Sequence, residues 1–202
     1  MKAFLIKTVK SMFKIKDLYN CIYNRILVFG FQVDYLIFPK ISGRIFLRGE
    51  GRVKLGKGVI INSGVEYNPI GGDIFTMMIA AKPESSIQIG NNVGISNSTI
   101  HAFTSVTIGD NVLIGGGTKI WDTDFHSINP EERIYRGDRE VKSKPIVIHD
   151  NVFIGGGSYI LKGVTIGKNS VVAAGSVVTK SIPDNEVWGG NPAKFLKKIT
   201  NE

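Results

Sequence analysis

Written in sixes from Ile146, the chain reads IVIHDN, VFIGGG, SYILKG, VTIGKN, SVVAAG, SVVTKS. The third place of each six is Ile148, Ile154, Ile160, Ile166, Val172 and Val178, a branched aliphatic every time. The residue after it is often small, as at Gly155, Gly167 and Ala173. A period of six matches neither the ~3.6 residues of a helical turn nor the ~2 of a simple strand. It predicts a coil of short strands joined by tight corners, with the aliphatics stacked inside. Each corner then takes a small residue or one that tolerates unusual backbone angles. An ordinary antiparallel sheet gives no reason for an aliphatic at six successive third places.

The same beat runs upstream. From Ile41 the sixes read ISGRIF, LRGEGR, VKLGKG, VIINSG and VEYNPI, the first two degenerate as terminal repeats often are. Residues 71–86 break the period and read as an excursion. The row resumes through Ile89, Ile95, Ile108, Ile114 and Ile120, then breaks until Ile148. Residues 122–145, polar, charged and punctuated by Pro130 and Pro145, form the longest excursion, the kind of loop on a rigid scaffold where chemistry concentrates. Three sixes make one triangular coil, so the chain holds about seven coils.

Residues 1–40 stand apart. They carry seven basic residues against Asp17 and Asp34, and Leu5, Val9, Met12 and Phe13 fall at helical spacing. A basic amphipathic helix is expected. It could cap the open end of the coil, contact an anionic membrane face, or do both. The apolar run from Ile26 to Phe38 is too short for a span of ~20 residues, and the lysines break up any signal-peptide core. The expected organisation is therefore 1–40 as helical cap or membrane-contact segment, 41–192 as coil, and 193–202 as a short C-terminal helix.

The net charge of +8 suits solubility, an anionic ligand or an acidic surface. The basic residues form no dense run and no aromatic-interleaved RNA motif, which disfavours nucleic acid. A single cysteine, Cys21, excludes a disulfide framework and fits a reducing cytoplasm.

The sixes, the DTDFHS segment, GVTIGKNSVVAAGSVVTKSIPDN and the closing GNPAKFLKKI resemble the hexapeptide-repeat acyltransferases. The galactoside/maltose acetyltransferase group and the O-acetyltransferases of surface polysaccharide synthesis are similar in plan. The resemblance implies an all-β fold, a left-handed parallel β-helix, assembled as a homotrimer with active sites between subunits. It implies acetyl transfer from acetyl-CoA to a sugar hydroxyl, with His126 of the long excursion as general base. Histidine suits that task because its ordinary pKa lies near neutrality. Asp122 or Asp124 would orient the ring, Asp124 being the first choice. Gly156 matches a backbone contact to the oxyanion. Ala174, Thr179, Lys180, Lys194 and Lys197 match the coenzyme A contacts, where lysines suit phosphates. The family often has arginine at the two terminal positions and tryptophan where Phe153 stands. Asn97 matches an asparagine that contacts the sugar, although an asparagine at a corner also tolerates left-handed geometry. Arg133 and Arg136 are candidates for an anionic acceptor.

Three rivals remain: N-acetylation of an amino sugar, a non-catalytic scaffold, and a zinc enzyme like the trimeric β-helix carbonic anhydrases. The last would use His101, His126 and His149, whose spacing departs from that family. No metal is expected.

Overall fold

The computed structural model describes residues 2–72, 74–137, 139 and 141–200, with side-chain environments from Phe13 onward. The side chains of Leu5, Val9 and Met12 therefore lie outside the described residues. Three parallel sheets enclose one core, as the stacked aliphatics require. The first face stacks Asp34–Tyr35, Arg52–Leu55, Ser86–Ile89, Ser105–Ile108, Ile146–Ile148 and Thr165–Ile166. The second stacks Lys40–Gly43, Ile60–Ser63, Gly94–Ser96, Leu113–Ile114, Phe153–Ile154, Val171–Val172 and Glu186–Gly189. The third stacks Ile45–Gly49, Thr76–Ala80, Thr99–Ala102, Lys119–Trp121, Tyr159–Ile160 and Val177–Val178.

Register carries each interior residue onto the next. Ile89 pairs with Ile108, Ile108 with Ile148, and Ile148 with Ile166. Ile114, Ile154 and Val172 form the second column, and Ile120, Ile160 and Val178 the third. All are buried. Each such aliphatic contributes roughly 1.5–3 kcal/mol through removal from water. One corner is held by an asparagine ladder. The side-chain amides of Asn92, Asn111, Asn151 and Asn169 donate in turn to Asn111, Asn151, Asn169 and Asn185 at 3.2, 3.1, 2.9 and 2.8 Å. All five have φ between 55° and 60°, the left-handed geometry that asparagine tolerates.

Another corner admits only glycine. A Cβ on Gly155 would sit 2.4 Å from the backbone nitrogen of Ala174 in the next coil. Gly155→Ala should therefore lower stability by about 1–3 kcal/mol through forced separation of two coils, measured by urea unfolding. A neutral substitution would mean that the coils are not so closely stacked.

Helix α1 (Lys2–Gly30) closes the N-terminal end. Val28 enters the core, and Asn24 donates to the Gly43 carbonyl at 2.8 Å and accepts from the Ile45 N–H at 3.2 Å. Helix α2 (Pro130–Tyr135), capped by Asn129, lies in the long excursion.

Three expectations need correction. The coil begins at Asp34, whose strand pairs with Lys54–Leu55, and not at 41. The sequence there is too degenerate to show the beat. The earlier excursion spans 64–75 rather than 71–86. Thr76, Met78 and Ala80 point inward as a regular third-face strand, but Thr, Met and Ala do not advertise an interior row. The VEYNPI six lies outside the coil, with Val65 and Ile70 exposed. Finally, the described residues of 193–202 contain no helix. Lys194–Lys198 is a strand, antiparallel to Glu186–Gly189. The last parallel strand leaves an open edge of N–H and C=O groups, and a hairpin through Gly190–Pro192 satisfies it. An isolated ten-residue helix would be marginal by comparison.

Candidate active site

The excursion between Trp121 and Ile146 is pinned at its root by Asp122. This buried carboxylate accepts from the N–H of Phe103 and of Thr104, both at 2.7 Å, and from the Thr104 hydroxyl at 2.6 Å. Its own carbonyl accepts from the Lys144 N–H at 2.8 Å, where the loop returns. Thr123 and Ser143 form an antiparallel bridge, and the Ser143 hydroxyl donates to that of Thr123 at 2.9 Å. These contacts present the Asp124–Phe125–His126 segment at the rim of the third face.

Phe125 adopts φ 62°, a left-handed backbone that costs a non-glycine residue about 1–3 kcal/mol. Its ring stands edge-on to His101 at 4.9 Å and lies 6.3 Å from both Phe103 and Trp121. Trp121 in turn meets Tyr159 at 5.6 Å. His126 follows directly and is exposed. Asp124 forms an ion pair with Lys162. Asp122 is committed to the 103–104 corner. Neither Lys162 nor the aromatic shelf is legible in the residue pattern. Their meeting depends on where a 24-residue excursion re-enters the coil, which no six-residue beat encodes.

His101 projects from the third face, half-buried, with its Nδ1 buried and unpartnered. Burial pushes its pKa below the usual 6.5, against the opposing pull of Asp122. The folded imidazole is thus neutral, and the unfolded chain takes up the proton first as pH falls. The stability linked to this group is complete above about 6.5 and declines as pH drops through and below that value. His101→Phe should flatten the fall in urea midpoint between about pH 7 and 5. An unchanged slope would mean that His101 titrates normally in the fold.

The other sequence-predicted residues separate into groups. Thr179, Lys180 and Lys194 come together, with Trp188, Pro192, Ala193 and Phe195, around a cavity of about 260 Å3 formed by the terminal hairpin. Lys197 lies further along the same strand, opposite Val187, and does not line that cavity. Gly156 and Ala174 stack in neighbouring coils, where the Gly156 carbonyl accepts from the Gly175 N–H at 2.9 Å. Asn97 is fully buried with φ 39°. Its Oδ1 accepts from the Gly64 N–H and its Nδ2 donates to the Asn68 carbonyl, each at 2.6 Å. Asn97 thus performs the corner role, tying down the 64–75 excursion, and is covered by Gly71. Arg133 donates to the Ser127 carbonyl at 2.7 Å, and Arg136 pairs with Glu132 at 3.0 Å. Both brace the loop that carries His126.

A sequence profile described as the hexapeptide repeat of succinyl-transferase matches residues 145–180, the segment in which the six-residue beat is most regular. Residues 145–180 thus carry a hexapeptide repeat. Over 118 residues the chain is 44% identical to the galactoside O-acetyltransferase of Escherichia coli, covering 58% of this chain and 56% of the relative. It is 34% identical over 155 residues to the mitochondrial gamma carbonic anhydrase 1 of Arabidopsis thaliana, covering 75% of this chain and 46% of the relative. The chain thus spans about half the length of the curated relatives it matches. Among solved structures it is similar to a galactoside acetyltransferase in complex with coenzyme A, with 30% identity and a TM-score of 0.54, covering 83% of this chain and 64% of that one.

The likeness to a carbonic anhydrase makes the three histidines worth placing. His101 lies on a third-face strand, His149 follows a first-face strand, and His126 stands in the excursion. Among the described residues no three His, Cys, Asp or Glu side chains group as a metal site within one chain.

Proposed function

We propose that this protein transfers an acyl group, acetyl in the simplest case, from a coenzyme A thioester to a hydroxyl of a sugar-type acceptor. Modification of a surface polysaccharide or lipopolysaccharide in the cytoplasm fits this chemistry. The coil is taken as left-handed and the working unit as a homotrimer, with each site completed by a neighbouring copy. The reading is carried by the hairpin cavity, which gathers two lysines, a threonine hydroxyl and two aromatic side chains in a chain similar to a coenzyme A-binding acetyltransferase. Lysines provide point charges for phosphates, and Trp188 and Phe195 provide flat apolar surface for an adenine.

His126 acts as general base. One ring nitrogen accepts the acceptor hydroxyl proton as the C–O bond forms, and returns it to the departing thiolate as the C–S bond breaks. The Gly156 N–H faces the developing oxyanion. Asp124 and Lys162 together hold the backbone before His126, and the aromatic shelf under Phe125 fixes the segment from below. With Asn97 committed to its corner, acceptor contacts fall to groups around the His126 loop and to the neighbouring copy.

Lys180→Ala and Lys194→Ala should each raise KM for acetyl-CoA about tenfold or more and leave kcat near that of the wild type, measured by thiol release. Unchanged KM in both would remove the donor site from this cavity. The likeness to a carbonic anhydrase supports one rival, zinc-dependent hydration of carbon dioxide. It is tested by metal content and hydration activity, with stoichiometric zinc and hydration favouring the rival.

A further inference from the structure

Helix α1 buries one face against the coil and leaves an apolar row exposed on the opposite face. Asn20, Asn24 and Val28, spaced by four, are buried against the first coil. Ile15, Leu18, Ile22, Ile26 and Phe29 follow spacings of three, four, four and three, and are 68, 63, 51, 68 and 86% exposed. On a helix of ~3.6 residues per turn these five fall within an arc of about 80°, on the side away from the coil. Lys14 and Arg25 fall along one border of that arc. Just past the helix, Leu36 and Ile37 are 74 and 59% exposed. Single exposed apolar residues are ordinary, but an aligned row of five on one helix is not.

We infer that this stripe docks the protein on the surface of an anionic lipid bilayer, with α1 lying in the interface plane. Charge complementarity supports that occupant. Residues 1–40 carry seven basic and two acidic residues within a chain of net charge +8. Lys16 is paired with Glu66, whereas Lys14 and Arg25 border the apolar row, the Arg25 guanidinium lying 4.5 Å over the Phe38 ring with its charge not neutralised by that contact. A two-fold pairing of the stripes would bring these like charges together, and contact between copies in any other symmetry is distinguished by the sedimentation mass below. No helix among the described residues is long and apolar enough to cross a membrane, so the contact is interfacial. Acyl transfer near such a surface would favour an acceptor presented from the lipid. The docking itself does not depend on the reaction, and a protein inactive toward acetyl-CoA would still bind vesicles.

The test is flotation of the full chain with phosphatidylcholine vesicles, with and without phosphatidylglycerol. Flotation is expected with the anionic vesicles and should weaken with added salt. Ile22→Glu/Phe29→Glu should lower the partition coefficient on the order of 100-fold, with the circular dichroism and sedimentation mass of the wild type. Should that variant not fold, Leu18→Ser/Ile26→Ser makes the same comparison. Failure to float, equal flotation of wild type and variant, or indifference to lipid charge would overturn the inference. A smaller sedimentation mass for the variant would also overturn it and assign the stripe to contact between copies.

Discussion

His126→Ala is expected to lower kcat for acyl transfer by about 10²–10⁴-fold, with coenzyme A affinity unchanged. The reason is positional. His126 is exposed at the end of a segment fixed by the Thr123–Ser143 bridge and by Phe125 in a left-handed backbone. The expected donor cavity is built from the terminal hairpin, which His126 does not line. Removal of the imidazole should therefore affect proton transfer and leave thioester binding intact. Single-turnover thiol release measures the first, and calorimetric titration with coenzyme A the second. Transfer at the wild-type rate would remove His126 from the chemistry. A parallel loss of coenzyme A binding would show that the loop builds the donor site.

Asp122→Ala should be the most destabilising polar substitution in the excursion, by about 3–5 kcal/mol. Three donors from Phe103 and Thr104 converge on this buried carboxylate, and alanine leaves both backbone N–H groups without their acceptor. In a domain of this size that loss corresponds to a fall in Tm of roughly 10 °C. The excursion should then open to limited proteolysis, since its return strand is tied to the Asp122 backbone. A loss below about 1 kcal/mol would mean that Asp122 is not the staple of the loop. The variant also separates two roles, because Asp124 and its ion pair with Lys162 remain in place.

What could be read in advance follows from what a six-residue beat encodes. It reports which side chains face inward, so Ile148, Ile154, Ile160, Ile166, Val172 and Val178 could be placed in the core without a structure. It fails where the inward residues are not branched aliphatics, which hid the strand containing Thr76, Met78 and Ala80. It says nothing beyond the last coil. Lys194–Lys198 looks helical as an isolated basic segment, yet the open edge of Glu186–Gly189 makes it a strand. The candidate site shows the same division. Thr179, Lys180 and Lys194 were legible as a group and line one cavity. Asn97 fitted two roles at the level of sequence, and its two 2.6 Å hydrogen bonds favour the corner. The neighbours of the His126 segment, Phe103, Trp121, Tyr159 and Lys162, come from different coils. Only the register of the three sheets brings them together.

The most direct measurement is mass spectrometry of a panel of sugars and lipid-linked glycans after incubation with acetyl-CoA and the protein. The account predicts at least one acceptor heavier by one acetyl group, esterified through oxygen, formed by the wild type and not by His126→Ala. The absence of any acetylated product, together with zinc-dependent hydration of carbon dioxide, would contradict it.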